Sequence, residues 1–186
     1  MAKFQKEYPM VRYEIYTANA DDIREQLDRG LVDFGLLMEP VDISKYNFIR
    51  LKQRESWEIV VREDSPLAEK ERVTAEDLIR VPLISVKRTL VKKELEDWFG
   101  DLYDQVQIAA IYNLVNNGLE MVRSGIGALL CFPIRSLDPG VKFIPLYPAV
   151  ETGSVLVWRK NQMMSQIVYR FLEEFKKCAE GISDNK

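Results

Sequence analysis

Between residues 11 and 38 the hydrophobic period of the chain changes twice, and this constrains the fold more than any other feature. Val11-Arg12-Tyr13-Glu14-Ile15-Tyr16 alternates apolar and polar positions with β-branched and aromatic residues, which predicts a strand. Asn19-Ala20-Asp21-Asp22 then supplies an N-cap and acidic first-turn residues. The helix they open buries Ile23 and Leu27, and Gly30 is placed to end it. Val32 to Met38 is nearly continuous in apolar residues, as expected of a strand covered on both faces. Strand, helix and strand in that order predict a β-α-β unit. Such a unit implies a parallel sheet with a right-handed crossover, and its ligand-facing edge lies at the carboxyl ends of the strands.

Past Pro40 the pattern is different. Phe48 to Leu51 and Trp57 to Arg62 are short strand candidates with little room for a helix between them, so they form a connector. Asp64-Ser65-Pro66-Leu67-Ala68 is turn chemistry, and Thr74-Ala75-Glu76-Asp77 can cap a short helix containing Leu78. A second series follows: strand Leu83 to Val86, amphipathic helix Leu90 to Phe99, strand Val106 to Ile111. Asn113 offers a cap for a helix carrying Val115, Leu119 and Val122, and Gly125-Ile126-Gly127 ends that helix against the apolar strand Ala128 to Cys131. Val141 to Leu146 and Ser154 to Trp158 read as strands, and Ser165 to Cys178 as a long helix with Phe171, Leu172 and Phe175 on one face. The chain is therefore expected to be α/β, with two Rossmann-like lobes joined by extended crossover strands. Lobe I takes residues 1–56 and 145–186, and lobe II takes residues 57–144.

Composition excludes several function classes. Net charge is -3, so no chain-wide positive field exists to hold a polyanion through its phosphates, and nucleic acid is not expected as a direct partner. The apolar stretches fall far short of the roughly 20 residues needed to span a bilayer, and the polar N-terminus lacks a signal-peptide core, which points to the cytoplasm. The chain contains no histidine, which removes the commonest general base and metal ligand. Cys131 and Cys178 read as structural thiols. The paired acids Asp21-Asp22 and Glu76-Asp77 suit helix caps, and no nucleophile has an evident base partner. No catalytic residue, metal site or cofactor is expected.

Five segments in order carry a resemblance to a known family. Phe4-Gln5-Lys6-Glu7-Tyr8-Pro9 resembles an end-of-helix phenylalanine with a Tyr-Pro pair. Leu27-Asp28-Arg29-Gly30-Leu31-Val32-Asp33 resembles a Leu-x-x-Gly-x-(Leu/Ile)-Asp signature, and Ser65-Pro66-Leu67-Ala68 a His-Pro-Leu-Ala turn with serine for histidine. Val122 to Leu130 is similar to a Val-x-(Ala/Ser)-Gly-x-Gly block, and Trp158-Arg159-Lys160 to the late strand end before the last helix. Together they resemble the effector-binding region of LysR-type transcription regulators, whose fold is similar to that of type 2 periplasmic binding proteins. The resemblance implies a small-molecule effector held between two lobes, a homodimer, and DNA contact only through a winged helix-turn-helix that these 186 residues do not include.

On that reading the ligand meets strand carboxyl ends and helix N-termini, whose N–H groups suit anions. Lobe I then offers Thr17, Asn19, Ala20, Met38 and Glu39. Lobe II offers Ser85, Lys87, Arg88, Thr89, Asn113, Phe132 and Pro133. Each also has an ordinary structural role: Asn19 and Asn113 suit helix caps, Lys87 and Arg88 a solvated face, Met38 and Phe132 core packing. An anionic metabolite is favoured if the two cations face the ligand. The alternative function is a solute-binding protein of a transport system.

Overall fold

A computed structural model describes residues 1–86, 89–133 and 139–180. In chain order these form α1 (Ala2–Glu7), α2 (Ala20–Asp28), β1 (Gly35–Met38), β2 (Tyr46–Ser56), β3 (Glu58–Arg62), α3 (Ala75–Leu78) and β4 (Leu83–Val86). They continue with α4 (Thr89–Phe99), β5 (Ile108–Tyr112), α5 (Val115–Arg123), β6 (Ala128–Cys131), β7 (Val141–Pro145), β8 (Glu151–Arg159) and α6 (Gln166–Glu180). Short 3-10 turns occupy Pro66–Glu69 and Gly100–Gln105. Two units result: Met1–Gln53 with Gly153–Lys186, and Arg54–Thr152. The chain leaves and re-enters the first unit within β2 and β8.

The second unit is built on a five-stranded sheet of order β5-β4-β6-β3-β7. β4 pairs in parallel with β5 and β6, and β3 pairs antiparallel with β6 and β7. Alternation along the strands sorts their side chains onto two covered faces. Ile59, Val61, Leu83 and Leu130 pack with Leu95 and Phe99 of α4 and with Leu78 of α3. Val60, Ile84, Leu129 and Cys131 pack with Leu119 and Val122 of α5. Both buried faces explain why Ala128–Cys131 is apolar throughout and why Leu83–Val86 is interrupted only by Ser85.

In the first unit β1, β8 and β2 form a three-stranded sheet in the order β1-β8-β2. β1 pairs antiparallel with β8, with Gly35 opposite Val157 and Met38 opposite Ser154. Helix α2 covers one face through Ala20 and Leu27, which pack with Leu37, Tyr46, Val155 and Val157. An aromatic group gathers around Phe171 of α6, whose ring centroid lies 5.3 Å from Phe4 and 5.7 Å from Phe34.

The α/β class expected from the sequence holds, and so do the helices near Leu90 to Phe99 and Ser165 to Cys178. The first β-α-β unit does not form as expected. Val11 to Tyr16 is not a strand, and β1 starts at Gly35 and runs antiparallel to its neighbour β8. Alternation makes a strand only where a second backbone takes up its N–H and C=O groups, and no described ladder includes residues 11–16. Ile15 and Tyr16 are accordingly exposed, at 75% and 52%.

Candidate functional site

In the second unit the three parallel strands end together, at Val86, Tyr112 and Cys131. α5 starts just after β5, and the residues following β6 are Phe132 and Pro133, so this edge gathers several of the sequence-predicted residues. Asn113 is exposed there. Its Oδ1 accepts from the Leu114 N–H at 2.9 Å and from Asn117 Nδ2 at 3.3 Å, and the N-cap position itself falls on Leu114, one residue later than expected. Phe132 is half-buried, its ring centroid 4.3 Å from that of Trp57. Trp57 is in turn fixed by Nε1–H donating to Thr152 Oγ1 at 3.1 Å, with both residues buried. Pro133 is half-buried. Ser85 differs from these residues: one position short of the end of β4, it is buried in a wall facing α4. Lys87 and Arg88 lie outside the described residues, and Thr89 is placed only as the first residue of α4.

Sequence reasoning passed over Glu58. It is the first residue of β3, paired with Cys131 in the register, so it stands at the same edge. Burial raises its carboxyl pKa. Burial also pushes the Cys131 thiol up to about 12, with the Glu58 carboxylate adding to the effect. It raises the Tyr112 phenol too, whose O–H donates to the Leu130 carbonyl at 2.9 Å. A single acid within Trp57-Glu58-Ile59-Val60-Val61 is the signal that could have found it.

In the first unit Asn19 caps α2: its Oδ1 accepts from the Asp21 and Asp22 N–H groups, each at 3.0 Å, and its Nδ2 donates to Asp22 Oδ2 at 2.7 Å. The amide therefore has both ends engaged in the cap. Ala20 is buried beneath the cap and Thr17 is exposed. Met38 ends β1, half-buried. Glu39 follows, its N–H donating to the Gly153 carbonyl at 2.9 Å and its carboxylate accepting from Arg50 Nε at 2.9 Å. Among the described residues no group of three or more His, Cys, Asp or Glu side chains is placed to hold a metal ion. Nor is any described helix long and apolar enough to cross a membrane.

Comparison with known proteins places these features in a family. Residues 1–179 match the model of the LysR substrate binding domain. The chain belongs to the LysR substrate-binding domain family. Among curated relatives of this LysR domain, the uncharacterised HTH-type transcriptional regulator YbhD of Escherichia coli strain K12 is 26% identical over 181 residues, 92% of the chain and 55% of the regulator. The uncharacterised HTH-type regulator YvbU of Bacillus subtilis strain 168 is 26% identical over 132 residues, 68% of the chain and 42% of the regulator. The domain thus spans about half the length of the regulators it matches. Its fold is that of LysR effector-binding domains, with their periplasmic-binding-protein-like pair of lobes. The effector binding domain of QuiR in complex with shikimate superposes with a TM-score of 0.85 at 17% identity, covering 97% of this chain and 88% of that one. The oxidised form of OxyR gives 0.73 at 20% identity, covering 99% and 89%.

Proposed function

We propose that this LysR domain senses a small, anionic metabolite and passes its binding state to a transcription regulator, through a DNA-binding winged helix-turn-helix outside these residues. The observation that carries the proposal is the match of nearly the whole chain to the LysR substrate-binding model. Support for the contact set comes from the meeting of Asn113, Phe132, Pro133 and the start of α5 at one strand edge, where unpaired N–H groups favour negative charge. Lys87, Arg88 and Thr89 complete the set in the second unit, and Thr17, Asn19, Ala20, Met38 and Glu39 provide it in the first. The similar QuiR domain was solved in complex with shikimate, which favours a small organic effector here also. Regulation requires only that the effector bind one conformational state more tightly than another. The regulator works in the cytoplasm as a homodimer and carries out no catalysis.

A thermal-shift screen of metabolites against the purified domain tests this reading. An effector present at a hundred times its Kd stabilises by about 2.7 kcal/mol, which for a chain of this size raises Tm by about 5–10 °C. Arg88→Ala is expected to weaken that compound about tenfold, as the loss of one charge-assisted contact would. Failure of every anionic compound to stabilise a folded sample overturns the proposal.

A further inference from the structure

Glu58 is the acid within the apolar run Trp57-Glu58-Ile59-Val60-Val61, and the sheet fixes which way its side chain stands. Residues opposite one another in an antiparallel pair project to the same face, and successive residues alternate. Val60 lies opposite Leu129 of β6, and both pack in the cluster under α5. Cys131, opposite Glu58, belongs to the same cluster, so the Glu58 carboxyl stands on the α5 side of the sheet. Arg62 agrees with that phase: its Nη1–H donates to the Arg123 carbonyl, at the end of α5, at 3.5 Å.

Helix α5 lies close on β6 at its middle, where a Cβ on Gly118 would stand 2.6 Å from Leu129 Cδ1. From that point the helix leads back to its start, and β6 leads on to its end, at the same edge. Leu129 to Cys131 is about 7 Å along the strand, and Gly118 to Leu114 about 6 Å along the helix. Glu58 is therefore level with the first turn of α5, which the Val115 and Asn116 N–H groups open. Among the described residues, β6 and β5 turn the Cys131 thiol and the Tyr112 phenol to this face, and burial keeps both protonated. β7 turns Phe143 and Pro145 to it, and the charges of α5, Glu120 and Arg123, lie in its last turn at the opposite edge. Burial disfavours the ionised form of Glu58 itself. An anion drawn to this edge adds a like charge beside that carboxylate, and a proton relieves the repulsion. We infer, on the anionic-effector reading above, that Glu58 takes up a proton from solvent when an anion binds at the strand edge, so that this carboxyl makes effector affinity depend on pH. Affinity is then greatest below the Glu58 pKa of the unliganded domain. It falls as pH rises toward the higher pKa of the liganded domain, and is level above it.

Sulfate, whose charge is constant between pH 5.5 and 8, is the probe, at fixed ionic strength. In 15N-labelled protein it is expected to shift the Val115 and Asn116 amide resonances saturably, with Kd about fivefold lower at pH 5.5 than at pH 8. Glu58→Gln should bind at pH 8 as tightly as wild type does at pH 5.5 and vary little with pH, while Glu58→Asp should keep the dependence. In the wild type itself, 13C titration should find the Glu58 carboxyl losing its proton at higher pH with saturating sulfate than without, a reading that needs no variant. Saturable binding with the same Kd at both pH values, an unmoved Glu58 titration, or a Glu58→Gln profile that follows wild type overturns the inference and leaves the effector reading standing. Absence of any shift at Val115 and Asn116, in wild type and variant alike, removes the anion from this edge and takes both readings with it.

Discussion

The two units solve the same packing problem to different degrees. In the second, five strands share one sheet, and each face of that sheet has its own buried apolar cluster under a helix. In the first, three strands make the sheet, one buried cluster sits under α2, and the alternating segment 11–16 remains outside any described ladder with Ile15 exposed. The difference teaches that an α/β layer is completed by its neighbours: a segment with strand-forming residues is a strand where flanking backbones pair with it and an exposed stretch where they do not.

Truncating the centre of each core tests that contrast most severely. Trp57 is 1% exposed, packs against Phe132 and bonds Thr152, so Trp57→Ala removes a large aromatic and orphans a buried hydroxyl. Its expected cost is about 4–5 kcal/mol by urea unfolding. Leu27→Ala, at a fully buried position beneath the smaller sheet, is expected to cost about 2–3 kcal/mol, because a thinner cluster collapses further into the space left. Equal losses would mean that the first core is as tightly packed as the second.

Both units end a helix in the same manner, which allows a sharper comparison. After α2, Gly30 has φ +72, its N–H donates to Leu27 O and the Leu31 N–H to Gln26 O. After α5, Gly125 has φ +78, its N–H donates to Val122 O and the Ile126 N–H to Met121 O. These are matching left-handed caps. Gly127 is a separate case: a Cβ there would stand 2.2 Å from the Pro82 carbonyl oxygen, the acceptor of the Ala128 N–H at 2.8 Å. Gly127→Ala must push β6 from β4, at a cost on the order of 3 kcal/mol. Gly30→Ala meets only the flexible end of Arg159 and pays backbone strain of about 1 kcal/mol. Thermal unfolding of the two variants decides it. A mild effect at Gly127 would show that the sheet of the second unit yields more readily than its burial suggests.

Residues differ in how far the sequence discloses them, and the reasons are physical. Leu83–Val86 and Ala128–Cys131 were legible because strands covered on both faces read as nearly continuous apolar runs. Val11–Tyr16 misled because alternation reports side-chain chemistry and not whether a ladder partner exists. Asn19 read correctly as a cap, but the bond from its Nδ2 to Asp22 depends on side-chain geometry that spacing does not specify. Ser85 was offered as a ligand contact near the end of β4, and spacing alone did not specify that its side chain stands in the wall facing α4. Glu58 passed unnoticed because strand order alone brings it beside Cys131.

The smallest effect concerns the thiols, one in each unit. Cys178 is exposed on α6, whereas Cys131 is 1% exposed and its thiol is raised to about 12 by burial, with Glu58 assisting. A disulfide reagent at pH 8 should therefore titrate one thiol per native chain at once, and the second only on unfolding, since the thiolate is the attacking species. The linkage has a definite sign. Cys131 holds its proton more tightly folded than unfolded, so its contribution to stability is full below about 9 and is lost as pH rises from there toward about 12. Wild-type protein should lose urea resistance between pH 8 and 10 more than Cys131→Ala does, by about 1 kcal/mol at the upper limit. Equal labelling rates for the two thiols would show that the sheet edge of the second unit opens as easily as the surface of α6. The contrast between a finished layer and an unfinished one would then have to be abandoned there first.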